Sequence, residues 1–386
     1  MKRDKNGRIV ASIAGGESVR AFVPAPLPPV PALNLSGPLQ AKLERATLAL
    51  GRLDSVSVLL PDPQLFLYAY VRREAVLSSQ IEGTQSSLSD LLLYELDGVP
   101  GAPFDDVAEV SNYVAALNHG MARLTEGFPL CNRLLREMHA KLMAGGRGSE
   151  KLPGEFRRSQ NWIGGTRPGN AHFVPPPPQE VDACMGELER FINDAASGQS
   201  VLIKAALAHV QFETIHPFLD GNGRLGRLLI ALMLHESKAL GQPLLYLSLY
   251  FKQHRRVYYD LLDSVRQEGD WEAWVEFFLE GVEETASGAV QTARRLVALF
   301  EHDQSALKAK RGSSSLIHAL NALRQRPVSS IGQVAQLSGL TFPTASKALQ
   351  TLTEEKIVRE LTNRRRNRVF AYDAYLQILN EGGETF

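Results

Sequence analysis

Cysteine is almost absent: Cys131 and Cys184 are the only two in 386 residues, far apart and without a CxxC pair. That excludes a disulfide framework and a cysteine-based zinc site, and it fits a reducing cytoplasm. Long apolar runs are also missing. The longest, Leu228 to Leu234, falls far below the roughly 20 residues that span a bilayer. The opening MKRDKNGRIVASIAGG has basic residues, but its short apolar patch is broken by glycines and is too weak for a signal peptide. No sign of charge dominates, with 42 Lys and Arg against 42 Asp and Glu, so no whole-molecule field draws the chain to nucleic acid or to an anionic membrane. There is no GxxxxGK[ST] loop, no HExxH (His235-Glu236 lacks the second histidine) and no internal repeat.

What is present suits an ordinary globular protein of two or three domains: 44% of residues are hydrophobic, ample for buried cores. Residues Phe22 to Pro38 are proline-rich and cannot form a continuous helix, which leaves an extended surface arm or a disordered tail. From Leu39 the pattern turns helical, first to Leu60 and then from Pro63 to Ile81, with Pro63 suited to a first turn and Gly83 to a stop. Further helices are expected over Ser86–Glu95, Ala108–Glu126, Cys131–Met143, Val181–Asn193, Val201–Thr214, Arg224–Leu240, Tyr258–Arg266 and Trp271–Phe300. The exception is Gln160–Val174, where β-prone residues flank a Gly/Pro/Asn turn and predict a hairpin.

After a polar stretch near Lys308–Ser315 the character shifts. Three short helices (Ser315–Arg324, Ile331–Ser338, Thr341–Glu354) and two strands (Ile357–Leu361, Val369–Tyr372) give the order of a winged helix-turn-helix, with Gly339 at the turn. Its wing carries Arg364, Arg365, Arg366 and Arg368, with Lys356 and Arg359 nearby, against Glu360 alone. Thr341–Ser346 opens a helix in the recognition position. DNA binding and protein contact are both open for this unit.

The chemistry concentrates in His216 to Arg227, HPFLDGNGRLGR. Gly221, Asn222 and Gly223 tolerate positive φ and let backbone amides face inward, while a helix begins at the same point and aims its unpaired N–H groups there. The result is an anion cradle. Arg224 and Arg227 are three apart on that helix and can hold phosphate oxygens bidentately. Asp220 adds the lone carboxylate that Mg²⁺ beside a nucleotide usually takes from a protein. His216 can accept a proton near neutral pH. Together these describe phosphoryl or nucleotidyl transfer. The spacing Gly221-x-Gly223-x-x-Gly226 also matches a dinucleotide fingerprint, but that motif needs a preceding strand, and Lys204–Thr214 reads as amphipathic helix.

The segment resembles the signature of the Fic (filamentation induced by cAMP) family, HxFx(D/E)GNGRxxR, at every defined position, and the resemblance runs over roughly residues 20 to 285. It implies a mainly α fold: an all-helical core with a small β-hairpin flap, here followed by the C-terminal winged-helix domain. It implies AMP transfer from ATP with Mg²⁺ onto Ser, Thr or Tyr of a target protein, possibly the chain itself. His216 would then deprotonate the target hydroxyl and Asp220 would bind the metal. Gly221, Asn222, Gly223 and their neighbours Leu225 and Gly226 would hold the α- and β-phosphates with Arg224, and Arg227 would orient the γ-phosphate. Phe218 would anchor the loop. The Gln160–Val174 hairpin would align a target by strand addition or be a plain surface hairpin. Tyr258 and Tyr259 would line the adenine pocket or simply pack in the core, and Trp162, Trp271 and Trp274 are read as packing.

Ser78-Ser79-Gln80-Ile81-Glu82-Gly83 matches the family's inhibitory pattern (S/T)xxxE(G/N). Ser78, Glu82 and Gly83 thus imply a brake in which Glu82 pairs with Arg227, or else a helix-end glutamate at the surface; some members of the family also use this glutamate in AMP removal. The expected organisation is a proline-rich arm (1–38), a helical region with the inhibitory helix (39–105), the catalytic core (106–285), a helical linker (286–312) and the winged helix (313–386). The expected partners are a protein substrate, a second copy in a dimer and DNA at the C-terminal domain, with no membrane. An AMP-removing hydrolase and a DNA-binding regulator that senses ATP remain alternatives.

Overall fold

Gly15 and Gly16, the glycines that interrupt the first apolar patch, both sit at positive φ and form a two-residue turn. Strand β1 (Gly7–Ala14) and strand β2 (Glu17–Pro24) pair antiparallel on either side of it, from Gly7 opposite Pro24 to Ala14 opposite Glu17. The expected proline-rich arm is therefore corrected at its start. The chain begins as a hairpin, Phe22–Pro24 belong to β2, and the prolines lie after it. Alternation explains the pairing, since Val19, Ala21 and Val23 of β2 are buried. The computed structural model describes residues 2–3, 6–59, 63–97, 104–145, 148–310, 312–362 and 367–381.

Helices then follow as α1 (Pro38–Leu59), α2 (Pro63–Ile81), α3 (Leu88–Asp97), α4 (Phe104–Thr125), α5 (Asn132–Leu142) and α6 (Pro178–Asn193). Two more, α7 (Val201–Ile215) and α8 (Asn222–Glu236), flank the glycine loop, and α9 (Ser248–Gln253), α10 (Arg255–Glu268) and α11 (Trp271–Lys308) complete the series. Gly83 follows α2 at φ 100°, a conformation open to glycine at little cost. In α7, 13 of 15 residues are buried, so it is the central helix and its polar residues must find partners inside the protein. Helix α11 packs along α1 and keeps Ala286, Ala289, Val290, Ala293 and Leu296 buried. The expected linker at 286–312 is thus the second half of a continuous 38-residue helix, held by a core face.

The Gln160–Val174 segment closes on a single antiparallel bridge, Ile163 to Phe173, rather than on a ladder. A 3₁₀ turn at Pro168–Asn170 shapes its tip, and Phe22 N–H of β2 donates to Val174 O at 2.9 Å, so the N-terminal hairpin backs this flap.

At the C-terminal end stand α12 (Ser313–Gln325), β3 (Val328–Ser330), α13 (Ile331–Ser338), α14 (Phe342–Glu354), β4 (Arg359–Glu360), β5 (Val369–Ala371) and α15 (Asp373–Asn380). The sheet runs β3-β5-β4, all antiparallel. Ser330 and Gln333 cap α13 reciprocally, and Gly339 at φ 68° turns the chain into α14. Strand β3 and helix α15 were not expected from the sequence. The three arginines 364–366 lie outside the described residues, whereas Arg359 pairs with Asp373 at 2.6 Å and Arg368 with Glu360 at 2.7 Å. No helix among the described residues is long and apolar enough to cross a membrane.

Candidate active site

Helix α7 ends at His216, which takes the left-handed conformation (φ 49°) while its N–H still reaches Phe212 O at 2.9 Å. A non-glycine residue holds that geometry only where its surroundings fix it. Buried Arg157 does so: its Nε donates to His216 O at 2.9 Å, Nη2 to Pro176 O at 2.6 Å and Ile215 O at 3.3 Å, and its N–H to Pro217 O at 2.9 Å. Nothing in the spacing of the sequence points to Arg157.

The loop is braced from within by Asn222. Its Oδ1 accepts from Phe218 N–H and its Nδ2 donates to Phe218 O, both at 2.9 Å, so the amide serves the loop's own backbone. Phe218 is fully buried and stacks on His139 with ring centres 3.8 Å apart. His139 Nδ1 accepts from Gly154 N–H at 2.8 Å, which fixes the tautomer and lets Nε2 donate to Asp220 O at 3.0 Å. Asp220 Oδ1 accepts from Gly221 N–H at 2.6 Å, and its side chain stays 43% exposed at the rim.

Leu225 is the first residue of α8 whose N–H finds a helical acceptor, Gly221 O. The amides of Asn222, Gly223 and Arg224 therefore sit at the open, positive end of the helix. Glu82 lies over this point: a Cβ built on Gly223 would fall 2.2 Å from its Oε1. The same oxygen accepts from Arg227 Nη2 at 2.8 Å. Arg227 is further held by Ser78, with Nε to Oγ at 2.8 Å and Nη2 to the carbonyl at 2.9 Å. Ser78, Glu82 and Arg227, distant in sequence, are thus one cluster. Burial alone would raise the Glu82 pKa, but the charge and hydrogen bond of Arg227, with Arg224 and His216, bring it below the usual value.

Arg224 is turned elsewhere, to buried Glu109 at 3.2 Å, with Asp220 Oδ1 3.9 Å away. Tyr258 is buried, stacked on Phe251 and donating to His209 Nε2 at 2.9 Å, while His209 Nδ1 donates to Gly226 O at 3.0 Å. It is a core residue that supports α8. Tyr259 keeps 39% exposure, and Glu82 and Arg227 both act on its phenol. Trp162 is exposed, unlike Trp271 and Trp274, so packing describes only the latter two.

Burial displaces further titratable groups of the site from their ordinary values. Burial, then the nearby charges of Arg157 and Arg266, depress His216 to about 3, so its imidazole is neutral. Burial raises Glu213 to about 7, with Arg227 and Arg266 pulling the other way and Glu82 adding to the rise. Glu213 fits beneath Gly226, where a Cβ would lie 2.5 Å from its Oε1. Burial likewise lifts Glu74, one turn before Ser78, to about 7. A neutral imidazole, an arginine and a ring of amides around one opening can take a proton from a hydroxyl and hold an anion beside it.

Comparison with known proteins agrees with this geometry. Residues 40–122 match the Fic/DOC family N-terminal model and residues 129–234 the Fic/DOC family model. Proteins named protein adenylyltransferase Fic from Drosophila ananassae and Aedes aegypti are 31% and 34% identical over 208 and 210 residues, 53% of this chain and 39% of theirs. The chain thus spans well under half the length of these curated relatives. A Fic family protein from Desulfovibrio desulfuricans superposes with a TM-score of 0.55 at 22% identity, covering 87% of this chain and 96% of its own. Fic-1 from C. elegans gives 0.53 at 21% identity, covering 66% and 73%. Both family models match in order, and the second takes in the helices α7 and α8 around the glycine loop, so residues 40–234 form a Fic/DOC-type region.

Proposed function

We propose that the chain transfers AMP from ATP to a hydroxyl of a protein and that Glu82 holds this reaction off. The observation that carries the reading is the convergence of His216, the amides at the start of α8 and Arg227 on one opening, with the Glu82 carboxylate lodged between the last two. The names of the curated relatives support the reaction type.

In this reaction the acceptor oxygen attacks the α-phosphorus, its proton passes to the His216 imidazole, and the bond to the β-phosphate breaks with release of pyrophosphate. The depressed basicity of His216 means that the base is already deprotonated, at the cost of a weaker pull on the proton. The amides of Asn222, Gly223 and Arg224 receive charge on the phosphates. Arg227, oriented by Ser78, receives the γ-phosphate once Glu82 has left it. Asp220 fits Mg²⁺: one oxygen is occupied by Gly221 N–H, and its partly exposed carboxylate stands beside the phosphate cradle. When bound there, the ion would neutralise phosphate charge. The described residues hold no group of three or more metal-ligating side chains, which suits an ion that takes most of its ligands from nucleotide and water.

Target recognition falls to the flap, whose tip residues 164–167 are exposed and whose single bridge leaves main-chain groups for an added strand. We read α12 to α15 as the winged helix-turn-helix, a unit open to protein or DNA contact, in which Arg359 and Arg368 are paired with Asp373 and Glu360. The test of the central proposal is the intact mass of Glu82→Gly protein after incubation with Mg²⁺ and ATP, alone and with a cell extract supplying targets. AMP addition to any protein that is lost in Glu82→Gly/His216→Ala establishes it; no AMP addition to any protein refutes it.

A further inference from the structure

A cavity of about 290 Å³ opens between α2, α9 and α11 at the point where α15 ends. Its inner wall includes Tyr70, Glu74, Tyr246 and Tyr250, all buried, and its rim includes the exposed Arg295 and Glu381. Glu74 Oε1 accepts from Tyr113 Oη at 3.1 Å and from Ser248 Oγ, whereas Oε2 has no partner among the described residues. The Tyr246 hydroxyl and Arg73 Nε are in the same position. Buried polar groups are rarely left without partners, and the residues that carry these three all line this one cavity, each group lying just behind its surface.

Tyrosine rings around a buried carboxyl group are a setting that receives an ammonium group, whose positive charge would itself draw Glu74 into its ionised form. The rim shows the complementary chemistry. Arg73 Nη2 donates to Glu381 O at 2.7 Å and Arg295 Nη2 to Glu381 Oε1 at 2.7 Å, so the two guanidiniums already hold a carboxylate-bearing residue of the chain itself. That pair is exposed, and exposed pairs exchange readily. We propose that this cavity is an effector site for a small zwitterion of amino-acid size, with its ammonium on Glu74 and Tyr246 and its carboxylate on Arg73 and Arg295.

Its consequence rests on the AMP-transfer reading. Glu74, Ser78 and Glu82 are spaced four apart along α2 and its end, on one face. Tyr113 donates to Glu74 and also meets the Ser78 hydroxyl, and Ser78 holds Arg227, which holds Glu82. A ligand that ties α2 to α11 favours the arrangement in which the cavity exists. Binding therefore keeps Glu82 on Arg227 and represses transfer.

The test uses the full chain and the free proteinogenic amino acids as probes. At about tenfold saturation a bound amino acid raises the thermal midpoint by about 1–2 °C. Gly288→Phe and Glu74→Gln abolish that rise. Gly288 lines the cavity on α11, and a Cβ added there meets nothing within 4 Å, so a larger side chain can start there without a clash at its base; an unliganded midpoint at or above the parent's verifies that the fold accepts the ring. If no amino acid shifts the midpoint, or if Gly288→Phe responds like the parent, the site is refuted. The amino acid that binds then slows basal AMP labelling of the parent several-fold and leaves Glu82→Gly unaffected. Binding with unchanged labelling refutes the coupling alone; a Glu82→Gly protein that labels nothing refutes the transferase reading and leaves the binding result standing.

Discussion

Removing the Glu82 carboxylate tests the brake directly, and its size follows from the contacts. Arg227 has three hydrogen bonds in this cluster, two to Ser78 and one to Glu82. Only the last is lost in Glu82→Gly, so Arg227 remains oriented and presents a vacated Nη2 face toward the α8 amides. A charge-assisted hydrogen bond contributes about 1.5–3 kcal/mol. Glu82 keeps 36% side-chain exposure, which screens it and favours the lower part of that range. Competition of about 1.5–2 kcal/mol for the arginine corresponds to a rise of roughly ten- to thirtyfold in the initial rate of AMP incorporation. The rate is read with α-labelled ATP and Mg²⁺, with Glu82→Gln as the neutral variant of similar size, expected in between. Glu82 lies just past the end of α2, so glycine there costs the fold little. A Glu82→Gly protein with an unchanged melting midpoint and no gain in rate refutes the argument, because the pair it removes would then not compete with nucleotide.

The other predictions concern the surroundings of the loop. In the Glu82→Gly background, the acid limb of the pH-rate profile falls below pH 5 rather than near 6.5, since burial, Arg157 and Arg266 hold His216 to about 3; a limb near 6.5 contradicts a desolvated base. Glu213 is an acid raised from 4.5 to about 7, so its folded form binds a proton more tightly and it penalises stability as pH rises between those values. Glu213→Gln therefore gains on the parent by up to about 3 kcal/mol between pH 4.5 and 7, measured by urea unfolding at each pH; a difference independent of pH refutes it. Asn222→Ala removes two hydrogen bonds to Phe218 and lowers stability by about 1–3 kcal/mol, read in the same titration, and it lowers the transfer rate further because the cradle loses its shape.

Most helices were legible in the sequence to within a few residues, because long apolar periodicity and strong punctuation coincide: α2 begins at Pro63 and stops before Gly83, where the punctuation puts its ends, whereas the six-residue α9 was not expected and α11 runs on to Lys308, past the expected end at Phe300. The N-terminal hairpin was missed since its turn glycines resemble a broken apolar run, and only pairing shows that β2 alternates. Strand β3 is three residues long and α15 eight, too short for a period to emerge. The site shows the same division. The residues His216 to Arg227 are contiguous, so local chemistry announces the cradle. Arg157, Glu109 and His139 act through contacts 59, 115 and 81 residues away, and no local pattern encodes such partners.

Arg227 is almost fully buried, and an isolated buried guanidinium is costly, so its neighbourhood must supply negative charge whichever state the site is in. In the closed state Glu82 does this. Glu213 and Glu74 also act on it, but burial has raised both to about 7, so neither gives a full charge near neutral pH. On the proposed reading, Arg227 is under-neutralised once Glu82 leaves, and the missing charge is what an incoming phosphate would bring. The raised acids thus do more than fill the core. Had they been fully ionised, Arg227 would be satisfied without either occupant, and neither the glutamate nor a nucleotide would have much hold on it. Replacing Glu213 by glutamine should accordingly tighten the grip of both, slowing transfer in the parent while lowering the KM for ATP in Glu82→Gly; opposite shifts would show that Glu213 serves α7 alone.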